Sequence, residues 1–283
     1  TYGVGWHSNT LTSIEYSNDS WGIRTREFDV STAYFLCLNS LTPMVISNAD
    51  DLKNMSGYGY YMLENDIDLA GAEWKNPGSF YGYFDGQGHI IKNMNFVNTV
   101  ENNNLYWGLF NNASGVVTNL RLSGRLITTI TSTTSDSYEV HAGGLAAQAS
   151  GRLIVDKVAS NVTLAVTQQT SGETYIGGLV GYSDSSTKAI IVKNSYSTGN
   201  ISTNYGYAGG LIGYKDYYWN GSDIAECQNS YFVSSTASEA YGAIRKNSIA
   251  EITAILQPIW GDLVWDFDEL DSNGNPTYKE QYD

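Results

Sequence analysis

The amino-acid sequence predicts an all-β protein folded as a parallel β-helix, a solenoid of stacked coils, with short capping helices at the ends. A glycine-centred motif recurs at a nearly constant spacing, and stretches of alternating apolar and polar residues lie between its copies. The 283 residues include 29 Gly and 22 Tyr but only 4 Pro, which is typical of β-structure with many tight turns.

The glycine motif reads WGLF at 107–110, GGLA at 143–146, GGLVGY at 177–182 and GGLIGY at 209–214, with a weaker copy, YGAI, at 241–244. The glycine that precedes the apolar residue stands at positions 108, 144, 178, 210 and 242, so the steps are 36, 34, 32 and 32 residues. A near-constant period of this length indicates stacked structural units.

The recurring glycines and leucines are predicted to be structural. Coils stacked in register place leucine over leucine and pair backbone groups of neighbouring coils about 4.8 Å apart. Glycine permits the backbone angles and the close approaches that a coil corner requires. The residues assigned this role are Gly108, Leu109, Gly144, Leu145, Gly178, Leu179, Gly181, Gly210, Leu211 and Gly213.

A second element, between the glycine motifs, is predicted to supply strands with one buried face. Apolar and polar residues tend to alternate in it, and helical periodicity is absent. It occurs at 91–96, 117–122, 155–158, 192–197 and 225–231. Each repeat is therefore expected to contribute at least two short strands.

The glycine series and the segment KNSYSTGNIS at 193–202 resemble the GLUG repeat. Upstream, MVISNADDLKNM from residue 44 and GYFDGQGHIIKNMNF up to residue 96 look like the opening segment that commonly precedes such repeats in bacterial surface proteins. The resemblance covers roughly residues 44–275. It implies a right-handed β-helix of the type found in adhesin-like proteins and in non-catalytic parts of large secreted proteins, including some immunoglobulin A proteases.

Four segments are predicted along the chain. Residues 1–43 are interpreted as an N-terminal lead-in or cap, 44–106 as the opening coils of the β-helix, 107–247 as the GLUG-type repeats, and 248–283 as a capping helix with a closing segment. Caps are expected because the open end of a solenoid exposes unpaired strand edges.

Both capping helices have local sequence signals. Residues 47–55 are predicted to form the first, short helix. Ser248 and Glu251 fit a capping box at the start of the second helix. Pro258 is predicted to end that helix, because proline lacks the backbone N–H that continues it.

The charge balance excludes several partners. The 29 acidic and 15 basic residues give a net charge of −14, so nucleic acid and anionic membranes are repelled. No apolar run reaches the about 18 to 20 residues of a membrane span, and neither Cys37 nor Cys227 has CxxC spacing. We expect an extracellular, secreted or cell-surface location, a monomer in isolation and no cofactor, while a structural Ca²⁺ at acidic turns stays open.

Catalysis is a rival hypothesis, because parallel β-helices also host polysaccharide lyases and glycoside hydrolases that need paired carboxylates or bound calcium. Three acidic clusters are candidates: Asp66 with Asp68, Asp85 with His89, and Asp266 with Asp268. Each also has a structural interpretation, as a strand, a tight turn and a solvated surface pair respectively. The sequence contains no HExxH, GxSxG or glycine-rich phosphate-loop motif, and we expect no enzymatic activity.

The sequence favours a non-catalytic, adhesin-like module that binds host or extracellular glycan or protein. Aromatic residues on sheet faces and loops stack on sugar rings or pack against protein partners. The candidate contact residues form two clusters, Tyr217, Tyr218 and Trp219 in one and Phe80, Tyr81 and Tyr83 in the other. The structural alternative is that these clusters cover the core. A passive spacer and a carbohydrate-active enzyme are the alternative functions.

Overall fold

Strands of successive repeats pair in parallel and stack, so the chain forms the predicted parallel β-helix. The structure is a computed structural model that describes residues 14–17, 23–26, 43–70, 73–133, 137–169, 172–184, 189–216, 224–260, 265–270 and 276–278. Two antiparallel pairs, one near each end of the chain, are the exceptions to parallel pairing among these residues.

The opening part of the chain contains short strands and one helix. Strands β1 (Ile14–Ser17) and β2 (Ile23–Arg26) form the first antiparallel pair. The elements that follow are β3 (Met44–Ile46), α1 (Ala49–Lys53), β4 (Tyr58–Leu63), β5 (Ile67–Asp68), β6 (Ser79–Asp85), β7 (Ile90–Glu101) and β8 (Leu105–Trp107).

The repeat region contains two long strands followed by many short ones. These are β9 (Phe110–Thr131), β10 (Val140–Gly143), β11 (Ala146–Gln168), β12 (Thr174–Gly177), β13 (Val180–Ser183), β14 (Ala189–Lys193), β15 (Tyr196–Ser197), β16 (Ile201–Thr203), β17 (Tyr207–Gly209), β18 (Ile212–Lys215), β19 (Ile224–Gln228), β20 (Tyr231–Phe232) and β21 (Ile244–Arg245). The chain then forms α2 (Ile249–Trp260), β22 (Trp265–Leu270) and β23 (Pro276–Tyr278).

Two sheets of different size make up the coils. One has four strands in the order β17-β12-β10-β8, and the other has 15 strands and runs along the solenoid. The corner between the two sheets lies at the first four glycine motifs; for example, β12 ends at Gly177 and β13, in the larger sheet, begins at Val180. The same corner recurs between β10 and β11 and between β17 and β18.

The core is a set of columns that run from coil to coil. Leu109, Leu145, Leu179 and Leu211 are all fully buried and belong to one cluster. The backbone N–H of Leu145 donates to the carbonyl of Leu179 at 2.9 Å, and the N–H of Leu179 donates to that of Leu211 at 2.9 Å. Each leucine therefore packs against its counterparts in the neighbouring coils, the arrangement on which repeat stability depends.

Asparagine turns divide the second predicted element into two strands in the later repeats. Within the stretch 192–197, Asn194 adopts a φ of 48° between β14 and β15. Asn229, with a φ of 46°, separates β19 from β20 in the same way. Asparagine tolerates this left-handed conformation better than most residues, so these positions turn the chain sharply. The later repeats therefore contain more than two short strands each.

The two short helices are present, with one difference from expectation. Helix α1 begins after Asn48, whose side chain accepts from the backbone N–H of Asp50 at 2.9 Å. Glu251 N donates to Ser248 Oγ at 3.3 Å at the start of α2. The predicted end at Pro258 is wrong, because α2 continues to Trp260.

Packing on the solenoid explains why α2 extends past its proline. The indole Nε1 of Trp260 donates to the carbonyl of Asn194 at 2.6 Å, and the ring stacks on Tyr196 at 5.6 Å. Tyr231, Leu256 and Ile252 complete this cluster, which is separate from the interior core. Helix α2 therefore covers an outward-facing tyrosine column, and these tertiary contacts outweigh the helix-breaking tendency of proline.

Candidate functional site

A contiguous strip of aromatic rings lies along the corner between the two sheets. We call it the aromatic strip, and it is formed by Tyr106, His141, Tyr175, Tyr207, Tyr182 and Tyr214. The first four stand in one column on β8, β10, β12 and β17. The last two stand in a second column on β13 and β18.

The glycine motif brings the two columns together. In the unit from Tyr175 to Tyr182, two tyrosines flank the corner residues Gly177 and Gly178. A Cβ on Gly177 would lie 2.1 Å from the carbonyl oxygen of Val180 and 2.5 Å from another backbone atom, so no side chain fits inside the corner. The strands on either side approach closely, and the centroids of the two flanking rings lie 4.9 Å apart.

Ring contacts run both along the columns and across the corner. Tyr175 stacks on Tyr207 with centroids 5.7 Å apart and an interplanar angle of 9°. Tyr182 stacks on Tyr214 at 6.1 Å and 7°. Across the corner, Tyr207 and Tyr214 are 4.9 Å apart. These distances lie in the range for favourable aromatic pairs, so the rings support one another.

Four exposed carboxylates border the strip. Tyr175 Oη donates to Glu173 Oε2 at 2.7 Å, and Tyr106 Oη donates to Glu139 Oε2 at 3.4 Å. Burial, with smaller effects from nearby carboxylates that include Asp184 and Asp216, raises the pKa of Tyr182 to about 12. Burial also raises the pKa values of Tyr106, Tyr175 and Tyr214, and carboxylates contribute in the same direction. These four tyrosines therefore carry phenol donors at neutral pH beside negative charge.

His141 is the buried, neutral member of the strip. Burial lowers its pKa to about 4. Gln148 Nε2 lies 2.7 Å from His141 Nδ1, and with Nδ1 accepting that bond the ring proton is placed on Nε2. His141 Nε2 has no hydrogen-bond partner among the described residues, and Glu139 Oε2 is 3.8 Å away. The imidazole thus serves as a stacking ring of the aromatic strip and as a buried N–H donor beside a carboxylate.

One ring of the strip is open to a ligand. Tyr207 is 54% exposed because β17 is the edge strand of the four-stranded sheet. Its ring packs on Tyr175 and also contacts Tyr214, and the edge position leaves the remainder exposed. Phenol donors and carboxylate acceptors surround this ring. Such a surface suits a ligand with an apolar face and several hydroxyl groups, which both donate and accept hydrogen bonds.

The structure corrects one predicted contact residue. Phe80 is only 1% exposed and stacks on Phe110 in the core with centroids 4.8 Å apart, so its ring is not available to a ligand. It lies on the inward face of β6, where alternation of side chains directs it to the interior. Tyr81 is partly exposed and stacks on Tyr58 at 5.2 Å.

The remaining predicted contact residues have mixed placements. Tyr83 packs on an outward apolar cluster that contains Val116 and Ile154, and burial raises the pKa of its phenol. Tyr83 therefore covers the sheet more than it presents a ring to solvent. Tyr217, Tyr218 and Trp219 lie outside the described residues.

The acidic pair Asp66 and Asp68 is engaged in structural contacts. Asp66 Oδ1 accepts from the backbone N–H of Ile90 at 3.1 Å and lies 3.0 Å from His89 Nδ1. Asp68 Oδ1 accepts from Asn93 Nδ2 at 2.7 Å. Hydrogen bonds from Asn93 and from the backbone lower the pKa of Asp68. Partial burial alone would raise the pKa of Asp66. Its hydrogen bonds to His89 and Ile90 outweigh this effect, so the pKa of Asp66 is lowered. Carboxyls held ionised are poor general acids at neutral pH.

The other acidic clusters divide between a turn and an undescribed pair. Asp85 Oδ1 accepts from the backbone N–H of Gln87 at 2.9 Å and from Asn119 Nδ2 at 3.1 Å, which fits the predicted tight turn. Burial raises the pKa of Asp85, although these hydrogen bonds oppose the rise. The side chains of Asp266 and Asp268 lie outside the described part of the structure.

The described residues show no metal cluster, no membrane-spanning helix and no exposed thiol. No three His, Cys, Asp or Glu side chains among them come together as a metal site. No helix in the described ranges is long and apolar enough to cross a membrane. Cys227 is a buried thiol whose pKa is raised to about 12 by burial, and Cys37 lies outside these ranges.

Sequence reasoning missed most of the aromatic strip. Tyr182 and Tyr214 were noticed as part of the repeated motif, but no contact role was assigned to them. The signal that would have found the first column is an aromatic or imidazole side chain two residues before the corner at 106, 141, 175 and 207. That recurrence is readable, whereas the contact between the two columns depends on the three-dimensional corner.

Comparison with known proteins gives a family match for one segment. A Bacteroides ovatus protein provisionally described as an immunoglobulin A1 protease is 19% identical with a TM-score of 0.43, over 85% of this chain and 93% of that one. A structure described as IgA1 protease is 15% identical with a TM-score of 0.35, over 71% of this chain and 21% of that one. No curated protein matches. Residues 172–202 match the family model of the GLUG motif, which confirms the resemblance. The segment that carries Tyr175 and Tyr182 thus lies within the part of the chain that matches the GLUG motif.

Proposed function

We propose that this chain is a non-catalytic, adhesin-like binding module of a secreted or cell-surface bacterial protein, and that the aromatic strip contacts a glycan. The observation that supports the proposal is the exposed ring of Tyr207 at the end of the aromatic strip. A rigid, exposed ring supplies stacking area at low entropic cost, because its neighbours already fix its orientation.

The chemistry around the ring limits the ligand. Glu139, Glu173, Asp184 and Asp216 are exposed carboxylates beside the strip, and they add to a net charge of −14. An anionic group would be repelled there, whereas hydroxyl or amine groups would be attracted. The ligand of the strip is therefore a neutral or amine-bearing glycan whose sugar ring stacks on Tyr207.

Two features support binding rather than turnover. Asp66 and Asp68 are held by structural hydrogen bonds, and their lowered pKa values do not suit proton donation. Asp85 closes a turn through Gln87 and Asn119. The GLUG motif and the Gly-, Tyr- and Asn-rich composition support an extracellular bacterial setting.

The test is a glycan-array screen of the purified protein, with released reducing sugar measured in parallel. The parent is compared with Tyr207→Ala, and Tyr58→Ala serves as the matched control because Tyr58 is a 72% exposed tyrosine on β4, away from the strip. We expect Tyr207→Ala to weaken binding to neutral or amine-bearing glycans by about tenfold, the effect of losing one stacking contact. Tyr58→Ala should bind like the parent.

Each outcome bears on a different part of the proposal. Binding that survives Tyr207→Ala but is lost in Tyr58→Ala would move the contact surface to the cluster around Tyr81. Sugar release that disappears when Asp66 or Asp68 is replaced would establish an enzyme instead. Binding to matrix proteins in place of glycans would support a binding module but contradict the assignment of a glycan as its ligand.

A further inference from the structure

A second candidate surface is a shallow polar depression of about 560 Å³ on the outer face of the larger sheet. It spans β7, β9 and β11 and lies on strands that do not carry the aromatic strip. It is lined by Asn93, Asn95, Ser123, Gly124, Arg125, Ile127, Asn161 and Thr163. Asn93 is already engaged, because its Nδ2 donates to Asp68 Oδ1 at 2.7 Å.

Strand alternation places these side chains outward. Their sequence neighbours Met94, Leu122, Leu126, Val162 and Leu164 are buried in the core. In the parallel register, Asn95 stands opposite Arg125, and Arg125 stands opposite Thr163. Three successive coils therefore contribute an amide, a guanidinium and a hydroxyl to one row. Neighbouring strands in this row are about 4.8 Å apart.

Arg125 is a cation without a counterion in the described part of the chain. Its side chain is exposed, and no carboxylate among the described residues lies within ion-pair distance. Glu73 stands in the same row beyond Asn95, but its Oε2 accepts from Asn98 Nδ2 at 2.6 Å. An unpaired guanidinium is notable in a protein of net charge −14, where 29 acidic residues are available to pair with it.

The polar groups around Arg125 are also available to a ligand. Within the described ranges, the side chains of Asn95, Ser123, Asn161 and Thr163 have no hydrogen-bond partner, unlike the many ladder asparagines that bond to the next coil. Ile127, at 41% exposed, adds an apolar patch beside them. Apart from Asn93, which bonds to Asp68, the depression therefore offers a ligand one cation, four amide or hydroxyl groups and one apolar contact.

We propose that this depression, the Arg125 site, binds a sugar that carries one carboxylate. The planar guanidinium matches a carboxylate through two parallel hydrogen bonds. The amide and hydroxyl side chains meet the hydroxyl groups of the sugar, and Ile127 contacts its C–H face. This ligand class is opposite in charge to the one that the aromatic strip takes, so the module contacts its ligands at two chemically distinct places.

The net charge restricts the ligand to a single acidic residue. A long polyanion would bring many charges against a surface of net charge −14 and be repelled. One carboxylate at the end of an otherwise neutral glycan avoids this repulsion and still gains the contact with Arg125. Terminal acidic sugars therefore fit the site, and densely sulfated or uronate-rich chains do not.

The experiment uses ligand-observed NMR on the whole chain with three probes: glucuronic acid, N-acetylneuraminic acid and, as the neutral match, glucose. We expect the parent to bind at least one acidic sugar more tightly than glucose, and Arg125→Ala to lower that affinity by about ten- to a hundredfold. Arg125→Lys should recover only part of it, because an ammonium group lacks the planar fork. Lys53→Ala, which removes an exposed positive charge on α1 outside the depression, is the matched control and should leave acidic-sugar binding unchanged. Tyr207→Ala is measured beside it to determine whether the aromatic strip takes the same probes.

Equal binding of acidic and neutral sugars, or unchanged binding in Arg125→Ala, would overturn the proposal. The preferred probe identifies the source of the carboxylate, a uronic acid or a nonulosonic acid. Thermal unfolding of Arg125→Ala verifies that any loss is local, since an exposed arginine without an ion pair should change stability by no more than about 0.5 kcal/mol. Loss of acidic-sugar binding in Tyr207→Ala with retention in Arg125→Ala would assign the activity to the aromatic strip instead.

Discussion

Replacing Gly213 by alanine tests whether the glycine corner fixes the spacing of the coils. An added Cβ would lie 2.4 Å from the carbonyl oxygen of Gly181 and 2.6 Å from that of Ile176. Ordinary contacts of this kind are roughly 3.5 Å, so each atom would have to move by about 1 Å. Both are backbone atoms of the preceding coil, and no side-chain rotation relieves the contact.

The expected effect is a large loss of stability for a single methyl group. Overpacking of a well-packed interior typically costs about 1 to 3 kcal/mol, and contacts with backbone on two strands place Gly213→Ala near about 3 kcal/mol. That loss corresponds to a decrease in Tm of about 6 to 12 °C for a large domain. Urea unfolding followed by circular dichroism gives the free energy of unfolding directly.

Gly78→Ala is the control that separates steric overlap from backbone conformation. Gly78 has a φ of 102°, and nothing lies within 4 Å of the Cβ that alanine would add. Its replacement should cost about 1 to 2 kcal/mol through the unfavourable backbone angle alone. The steric reasoning is refuted if Gly213→Ala is no more destabilising than Gly78→Ala.

Three further predictions concern the core and the strip. Leu179→Ala should lower the free energy of unfolding by about 2 to 5 kcal/mol, because Leu179 is fully buried between Leu145 and Leu211; Val97→Ala, at a 51% exposed position, should stay within about 0.5 kcal/mol in the same urea titration. Because burial lowers the pKa of His141 to about 4, the unfolded chain takes up this proton first, and stability should fall as pH decreases from about 6.5 to 4. Unfolding at stepped pH should show this slope in the parent and a flatter one in His141→Phe. The pKa of Tyr182 is raised to about 12, so stability should fall between about pH 10, where an unfolded tyrosine ionises, and pH 12. The fall in stability should be smaller in Tyr182→Phe. Tyrosinate absorbance in the same pH series measures the ionisation that causes it.

The leucine column was predictable from the sequence because it depends on period alone. Once Gly144, Gly178 and Gly210 are aligned, the leucine after each must occupy the same place in every coil. The assignment of Phe80 to a binding surface failed for a related reason. Its place in β6 directs its side chain inward. That direction follows from the strand register, and a cluster of aromatic residues in the sequence does not reveal the register.

Sites that combine several coils were harder to predict. Asn95, Arg125 and Thr163 form one row of the Arg125 site, yet they share no residue type that a repeat search would align. The extension of α2 past Pro258 is similar, because it depends on the contact between Trp260 and Tyr196 from a different repeat. In both cases the decisive neighbours are about one coil or more away in sequence, so local patterns do not identify them.

The end of the repeat explains why Tyr207, the proposed contact residue, is exposed whereas Tyr175 is buried. Tyr175 is only 8% exposed because Tyr207 of the next coil covers it. Tyr207 occupies the same column position, but β17 is the edge strand of its sheet. The following segment meets β17 in an isolated bridge between Gly209 and Ser238, and among the described residues it adds no aromatic ring to this column. The same motif therefore gives a buried stacking residue inside the ladder and an exposed one at its last rung. An added coil with tyrosine in that column would bury Tyr207 and move the open ring one rung further, which is why ring position along the solenoid, rather than residue identity, determines where a ligand can stack.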